Sequence, residues 1–202
     1  MKKTILSLLL FIAVQYHVFA QWPSNKNYPI NVAASSQSEL VQQTISDGAG
    51  GVYVVWHRTI TPGGGYDIYV AHYTSVGTFI FSTPVYSSPD AGDSEWLAGV
   101  VLDEANGIIV VWSDQRTNTN CIGGCAKEFY GQRISFEGVK QWPQDGLLLL
   151  GGLADPNHTQ MGIAQVLKGS GNDFYLVWEE IGTCQPCNDG VCPCPNTTNR
   201  IM

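Results

Sequence analysis

The chain has 202 residues, with ten Lys and Arg against seventeen Asp and Glu, for a net charge of −7 at pH 7. Charged residues make up only 13% of it while glycine occupies 22 positions, a composition suited to short strands and many turns rather than amphipathic helices. The few, scattered basic residues exclude the clustered Lys/Arg surface that nucleic acid or an anionic membrane demands.

Met1-Lys2-Lys3 is a short basic leader, Thr4 to Val14 is almost wholly apolar, and Val18-Phe19-Ala20 offers small residues where a signal peptidase reads. That order predicts a secretory signal peptide over residues 1–20, cleaved after Ala20, and export to the medium or the cell surface. The apolar core is too short for a span of about twenty residues, and no later stretch is long and apolar enough to cross a bilayer. Gln21 rather than Cys follows the cut, which argues against a lipid anchor. Loss of Lys2 and Lys3 takes the net charge from −7 to −9.

A repeat fills the rest of the chain, 21–202. Three times a turn rich in Gly, Asn and Asp is followed by five apolar residues ending in Trp: Asp47–Gly51 then Val52–Trp56, Asp103–Gly107 then Ile108–Trp112, and Gly169–Asp173 then Phe174–Trp178. Such turns tolerate positive φ and close hairpins. Val41–Ser46 with Gly51–His57, Leu97–Leu102 with Ile108–Ser113, and Ile163–Lys168 with Phe174–Glu179 read as three equivalent hairpins. The Trp-ending strands have no polar face, so each is expected between two packed layers. Asp67–Tyr73 and Phe129–Ile134 read as third strands, Thr78–Val85 and Val139–Pro143 as fourth, outer ones. Four antiparallel strands per unit is the blade of a β-propeller. The expected fold is therefore all-β: an incomplete propeller of about three four-stranded blade repeats, in units of about 21–78, 79–140 and 141–202.

Gln21-Trp22-Pro23 recurs as Gln141-Trp142-Pro143, and Phe79-Ile80-Phe81 stands between them in the series. The mature chain is thus expected to begin on an outer strand whose blade lies elsewhere. Asn199-Arg200-Ile201-Met202 reads as the opening of a further third strand, which predicts an N-terminal piece of a larger protein or a truncated product. Further blades or another chain would close the ring.

All six cysteines follow a Trp-ending strand: Cys121 and Cys125 in the second unit, Cys184, Cys187, Cys192 and Cys194 in the third. An even count in an exported chain predicts disulfides. Cys121 and Cys125 could close their own loop, the later four allow three pairings, and links between the two loops are open as well. Zinc is the alternative, but Cys192-x-Cys194 is not the usual paired spacing. Cys184-Gln185-Pro186-Cys187 has the spacing of a redox pair, which needs a helix N-terminus that nothing here predicts. No metal or cofactor is expected.

Catalytic signals are thin. The residues after each Trp are His57-Arg58, Ser113-Asp114 and Glu179-Glu180, so Arg58, Asp114 and Glu180 are equivalent and could line one rim. They read better as solvated strand ends than as a binding face or an acid/base pair. There is no nucleophile elbow. Trp96 is equivalent to Leu40 and Gly162, and is expected to fill the core beside Leu97 rather than to stand as a sugar-stacking platform. Asn157-His158-Thr159 and Asn196-Thr197-Thr198 are glycosylation sequons.

The series Asp-Gly-x-Gly-Gly, Val-x-Val-Val-Trp, Asp-Ile-Tyr-Val, Gly turn and aromatic outer strand resembles repeats in secreted bacterial β-propeller proteins, many of them large and without assigned activity. Ser135–Trp142 is similar to the Ser-x-Asp-x-Gly-x-x-Trp turn of sialidases and related propellers, but its acid, Glu137, directly precedes Gly138. The resemblance implies an exported scaffold or binding module that takes a protein or glycan ligand on the loop face bearing the Cys insertions. Its alternative is part of a carbohydrate-active, sialidase-like enzyme.

Overall fold

A computed structural model describes residues 30–33, 35–60, 65–88, 95–114, 116, 128–151, 160–181 and 198–201; for 160–163, 179–181 and 198–201 it describes the backbone alone. The leader, Trp22, Asn157, Asn196 and all of Cys121, Cys125, Cys184, Cys187, Cys192 and Cys194 lie outside the described residues.

The described residues form strands and turns, with no helix. The first sheet is β1 (Glu39–Ser46), β2 (Val52–Thr59), β3 (Tyr66–Tyr73) and β4 (Phe79–Tyr86), in that spatial order. The second is β5 (Trp96–Leu102), β6 (Ile108–Asp114), β7 (Glu128–Ile134) and β8 (Leu147–Leu150). The third holds β9 (Gln160–Lys168), β10 (Phe174–Ile181) and β11 (Thr198–Ile201). All neighbouring strands are antiparallel.

The repeat survives in register. Trp56 lies between Val41 and Tyr69, Trp112 between Leu97 and Tyr130, and Trp178 between Ala164 and Arg200. The register slips by one residue between Val41 and Gln43 and again between Leu97 and Gly99, so the same bulge bends both first strands.

The alternation of a strand sends successive side chains to opposite faces, and here both faces are covered. Tyr53 and Val55 of β2 meet Ile108, Val110 and Trp112 of β6 in one core between the first and second sheets. Ile109 and Val111, on the other face of β6, meet Trp178 in a second core against the third sheet. Val54 and Trp56 pack against Ile30, Val32 and Ala33 on the far side of the first sheet. Each sheet therefore turns its Trp-bearing face to what precedes it in the chain. The sheets come closest along their first strands, β1, β5 and β9. A Cβ on Gly99 would sit 3.1 Å from that of Val166, so glycine is what lets β5 lie against β9.

The fourth strand of the second sheet differs from expectation. Lys140 makes only an isolated bridge to Ile134, and β8 forms further on, at Leu147–Leu150. Pro143 has no N–H for a ladder. The buried Gln132 side chain takes over instead: its Oε1 accepts the Trp142 N–H at 3.0 Å and its Nε2 donates to the Pro143 carbonyl at 2.7 Å. A Cβ on Gly131 would fall 2.9 Å from both Trp142 and Leu149, so this glycine makes room for the detour and for β8.

Candidate functional site

Each sheet has two ends, and they differ in chemistry. At one end lie the turns between first and second strands. Asp47 Oδ1 accepts the N–H groups of Ala49 at 2.8 Å and Gly51 at 2.7 Å. Asp103 Oδ1 does the same for Ala105 and Gly107, both at 2.8 Å. A Cβ on Gly51 would meet Asp47 Oδ2 at 2.3 Å and the Tyr73 carbonyl at 2.4 Å, and one on Gly107 the Ile134 carbonyl at 2.4 Å. Only glycine fits either place. The second carboxylate oxygen of each aspartate reaches the third strand, Asp47 to His72 Nε2 at 3.0 Å and Asp103 to Arg133 Nε at 2.8 Å. Burial works to raise the Asp47 carboxyl. The hydrogen bonds from His72 and from the Ala49 and Gly51 N–H groups oppose it and hold the group below its ordinary value.

In the third turn the pair is inverted: Gly169 stands in the aspartate's place and Asp173 in the glycine's, with the same Gly169 N–H to Asp173 carbonyl bond at 2.9 Å. The Ser135–Gly138 turn closes the β7 end in the same way as Thr74–Gly77 closes β3. Ser135 Oγ accepts the Val139 N–H at 3.2 Å and Thr74 Oγ1 accepts the Thr78 N–H at 3.1 Å. In the sialidase-like turn the acid, Glu137, accepts from the Ser135 hydroxyl at 2.9 Å, whereas the matching position in the first sheet is Val76.

The other end is the rim where the second strands finish and the long connections, including those bearing the cysteines, leave and return. Arg58 and Asp114 stand at matching register positions, opposite Asp67 and Glu128, and Glu180 stands opposite Thr198. Two ion pairs lie within the rim, Arg58 with Glu39 and Asp114 with Arg116. Arg58 Nε donates to Glu39 Oε1 at 2.9 Å while its guanidinium lies 3.9 Å over the Tyr69 ring. Asp67 accepts from the Ser87 hydroxyl at 2.9 Å and the Ser88 N–H at 3.2 Å; burial nonetheless pushes its carboxyl up.

Asp114 is fully engaged: Oδ2 accepts from Trp112 Nε1 at 3.1 Å and from Arg116 Nε at 2.8 Å, with Arg116 Nη2 also on the same oxygen. The Arg116 guanidinium is held between two rings, 3.8 Å over Tyr86 and 3.8 Å over Tyr130, and donates to the Asp145 carbonyl at 2.7 Å. It fastens the outer strand of the first sheet to the second. Asp114 is therefore the anchor of a clamp, not an open acid.

Trp96 does not fill the core. It is 47% exposed at the start of β5. Its ring is met edge-on by His57 at 5.9 Å and by Tyr66 at 5.7 Å. The core-facing position is instead taken by its neighbour Leu97, because the strand alternation can bury only one of the two. His57 is buried beneath, its Nε2 accepting the Leu97 N–H at 3.3 Å; burial pulls its imidazole down to about 4, so the ring is neutral at physiological pH. Trp96 thus stands on a rigid, uncharged aromatic base.

Sequence patterns alone missed Arg116, Tyr66, Tyr86 and Tyr130. The Asp114-x-Arg116 spacing was the available signal, because two residues apart after a strand end is the reach of an ion pair. Among the described residues no group of three His, Cys, Asp or Glu is set to hold a metal ion, and no helix is long and apolar enough to cross a membrane. No protein-family model matches the chain, and no curated protein matches it.

Proposed function

We propose that the three sheets are successive blades of a β-propeller and that the protein is an exported scaffold or binding module. Three features support the propeller: antiparallel up-and-down sheets, the first two of four strands, closest approach along the first strands, and a Trp-bearing face that always packs on the preceding layer. Blades fanned around a common axis have this geometry. The signal-like leader supports export, and six cysteines in an exported chain support disulfides.

The rim is the binding end in this reading, and its ligand a glycan. The observation that carries it is Trp96, a half-exposed indole on a neutral His57–Tyr66 base, beside connections whose length varies from unit to unit. Insertions gathered on one face of a repeat array mark its binding face, and an exposed rigid aromatic offers a sugar ring an apolar surface at little entropic cost. The internal engagement of Asp114 by Trp112 and Arg116 favours binding over turnover.

The test is a microarray of bacterial, plant and mucin-type glycans probed with the full chain, with Trp96→Ala, and with residues 184–194 replaced by a Gly/Ser linker. The wild type is expected to retain a glycan class that Trp96→Ala binds at least ten-fold more weakly, with the far-ultraviolet β signature kept in both variants. No retained glycan, or equal retention by Trp96→Ala, sinks the glycan rim. Loss of the β signature in the linker variant sinks the assignment of that segment to binding.

A further inference from the structure

The three sheets make one kind of contact twice. On the side of each second strand away from its Trp stands an apolar set: Tyr53 and Val55 with Ile45 across the hairpin, Ile109 and Val111 with Val101, and Tyr175 and Val177 with Leu167. Ile108, Val110 and Trp112 of the second sheet cover the first set. Phe174, Leu176 and Trp178 of the third sheet cover the second. The third set stays open: Tyr175 is 56% exposed and Leu167 52%, against 0% for Tyr53 and 2% for Ile109.

The opposite half of the same contact lies at the other end of the array. Val54 and Trp56 of the first sheet form a core with Ile30, Val32 and Ala33. Those three residues stand to Trp56 as Val85 and Tyr86 stand to Trp112, and Leu149 and Leu150 to Trp178, which are the ends of the preceding outer strands β4 and β8. Among the described residues, this core holds nothing from the second strand of another sheet. The third sheet has the reverse lack: a bare second strand and, among the described residues, no outer strand. Each end of the array carries what the other lacks.

We propose that the Leu167–Tyr175 face of the third sheet docks on the Trp56-bearing side of the first sheet in a second copy of this chain, so that two copies close into one ring. Closure, unlike the contact itself, rests on the three sheets being propeller blades. Three sheets from each copy make six, inside the range of about four to eight in which propellers close, and a third copy would exceed it. The contact is heterologous, the last sheet of one copy on the first sheet of the other, and the pair makes it twice. Each contact takes a tyrosine ring and a leucine out of water.

Sedimentation velocity of the purified full chain across the micromolar range reads the assembly, and the wild type is expected at twice the mass of one chain. Tyr175→Glu sets a carboxylate where the contact excludes water, and should weaken association about a hundred-fold with the far-ultraviolet β signature kept. Leu167→Lys, on the neighbouring strand, is expected to act alike and serves should Tyr175→Glu not fold. With Tyr175→p-benzoylphenylalanine, in a mixture of ¹⁵N-labelled and unlabelled chains, irradiation is expected to join two chains, the partner peptide falling within residues 30–73. A chain that stays single throughout overturns the docking and leaves the blade reading standing, because that reading rests on contacts within one chain. A cross-link into the other chain's third sheet, or unchanged association in a folded variant, overturns the docking too. Growth beyond two copies through the same cross-link overturns the closed pair and counts against the propeller itself.

Discussion

His72 and Arg133 occupy the same position in two successive sheets and grip the same partner, the turn aspartate of their own sheet. His72 sits opposite Tyr53 and Arg133 opposite Ile109, the second residue of each Trp-ending strand. Their surroundings diverge. The Phe136 turn of the second sheet folds over His72, so that its Nδ1 lies 3.2 Å from the Phe136 carbonyl and its ring stacks on Tyr53 at 4.0 Å. The Arg133 side chain keeps 30% of its surface in solvent.

Removing the aspartate should therefore cost unequally. Asp103→Ala loses two turn hydrogen bonds and leaves an arginine that solvent can reach, a loss of about 1–3 kcal/mol. Asp47→Ala loses the same bonds and also leaves a fully buried ring nitrogen of His72 without its partner, for about 2–4 kcal/mol. Urea denaturation of both variants gives the comparison; equal losses would show that burial of His72 does not matter.

Acid should weaken the fold in two stages. The His57 imidazole is held neutral down to about 4, well under the ordinary 6.5. The unfolded chain thus binds a proton there that the folded chain refuses, and stability falls as pH drops from about 6.5 to 4. A displacement of this size corresponds to about 3 kcal/mol. Asp47 adds a later loss: its carboxyl is held below its ordinary value, so its contribution is present above that value and disappears as pH falls through the folded one. His57→Gln, which can still accept the Leu97 N–H, should flatten the first stage and leave the second. Denaturation midpoints at a series of pH values measure both.

The inverted third turn is open to a swap. Gly169→Asp alone places a Cβ about 3.0 Å from the Asp173 side chain and carbonyl and sets two carboxylates together. It should destabilise by about 1–3 kcal/mol. Adding Asp173→Gly recreates the arrangement of Asp47 with Gly51 and should recover most of the loss, so a double-mutant cycle should show coupling of at least about 1 kcal/mol. Additive effects would mean the third turn does not follow the same rule.

Most of the strand order was legible because it rests on local signals: the Asp/Gly turn, the apolar run and the terminal Trp place three hairpins in correct register. What was not legible depends on partners distant in sequence. Leu147–Leu150 is displaced from the expected outer strand because Gln132, ten residues before Trp142, supplies the hydrogen bonds the ladder would have made. Trp96 and Leu97 are adjacent and both apolar, and only the packing of the first two sheets decides which one is buried. Arg116 acquires its place from Tyr86, thirty residues upstream in another sheet.

Arg116 should resist even its closest substitute. Lysine keeps the charge but loses the planar stack between Tyr86 and Tyr130 and the fork on Asp114. Arg116→Lys is expected to cost about 1–2 kcal/mol from the lost cation–π contacts and hydrogen bonds. The loss should be smaller in Tyr86→Leu, where one ring is already gone. Equal losses in both backgrounds would remove Tyr86 from the clamp.

Gln132 is the sharpest test of the second sheet. Both ends of its amide serve the backbone where the chain leaves the ladder, so Gln132→Leu, close in volume and unable to bond, leaves the Trp142 N–H and the Pro143 carbonyl without this partner. A loss of about 2–4 kcal/mol is expected, one unmet polar group at each end. Gln132→Glu keeps the acceptor for Trp142 but presents a carboxylate to the Pro143 carbonyl, and burial of that charge should make it no better than leucine. Hydrogen exchange should show the Trp142 amide losing protection in Gln132→Leu while the β6 amides keep theirs. Unchanged protection at Trp142 would mean the segment is held by its ring packing against Gly131 and not by the glutamine.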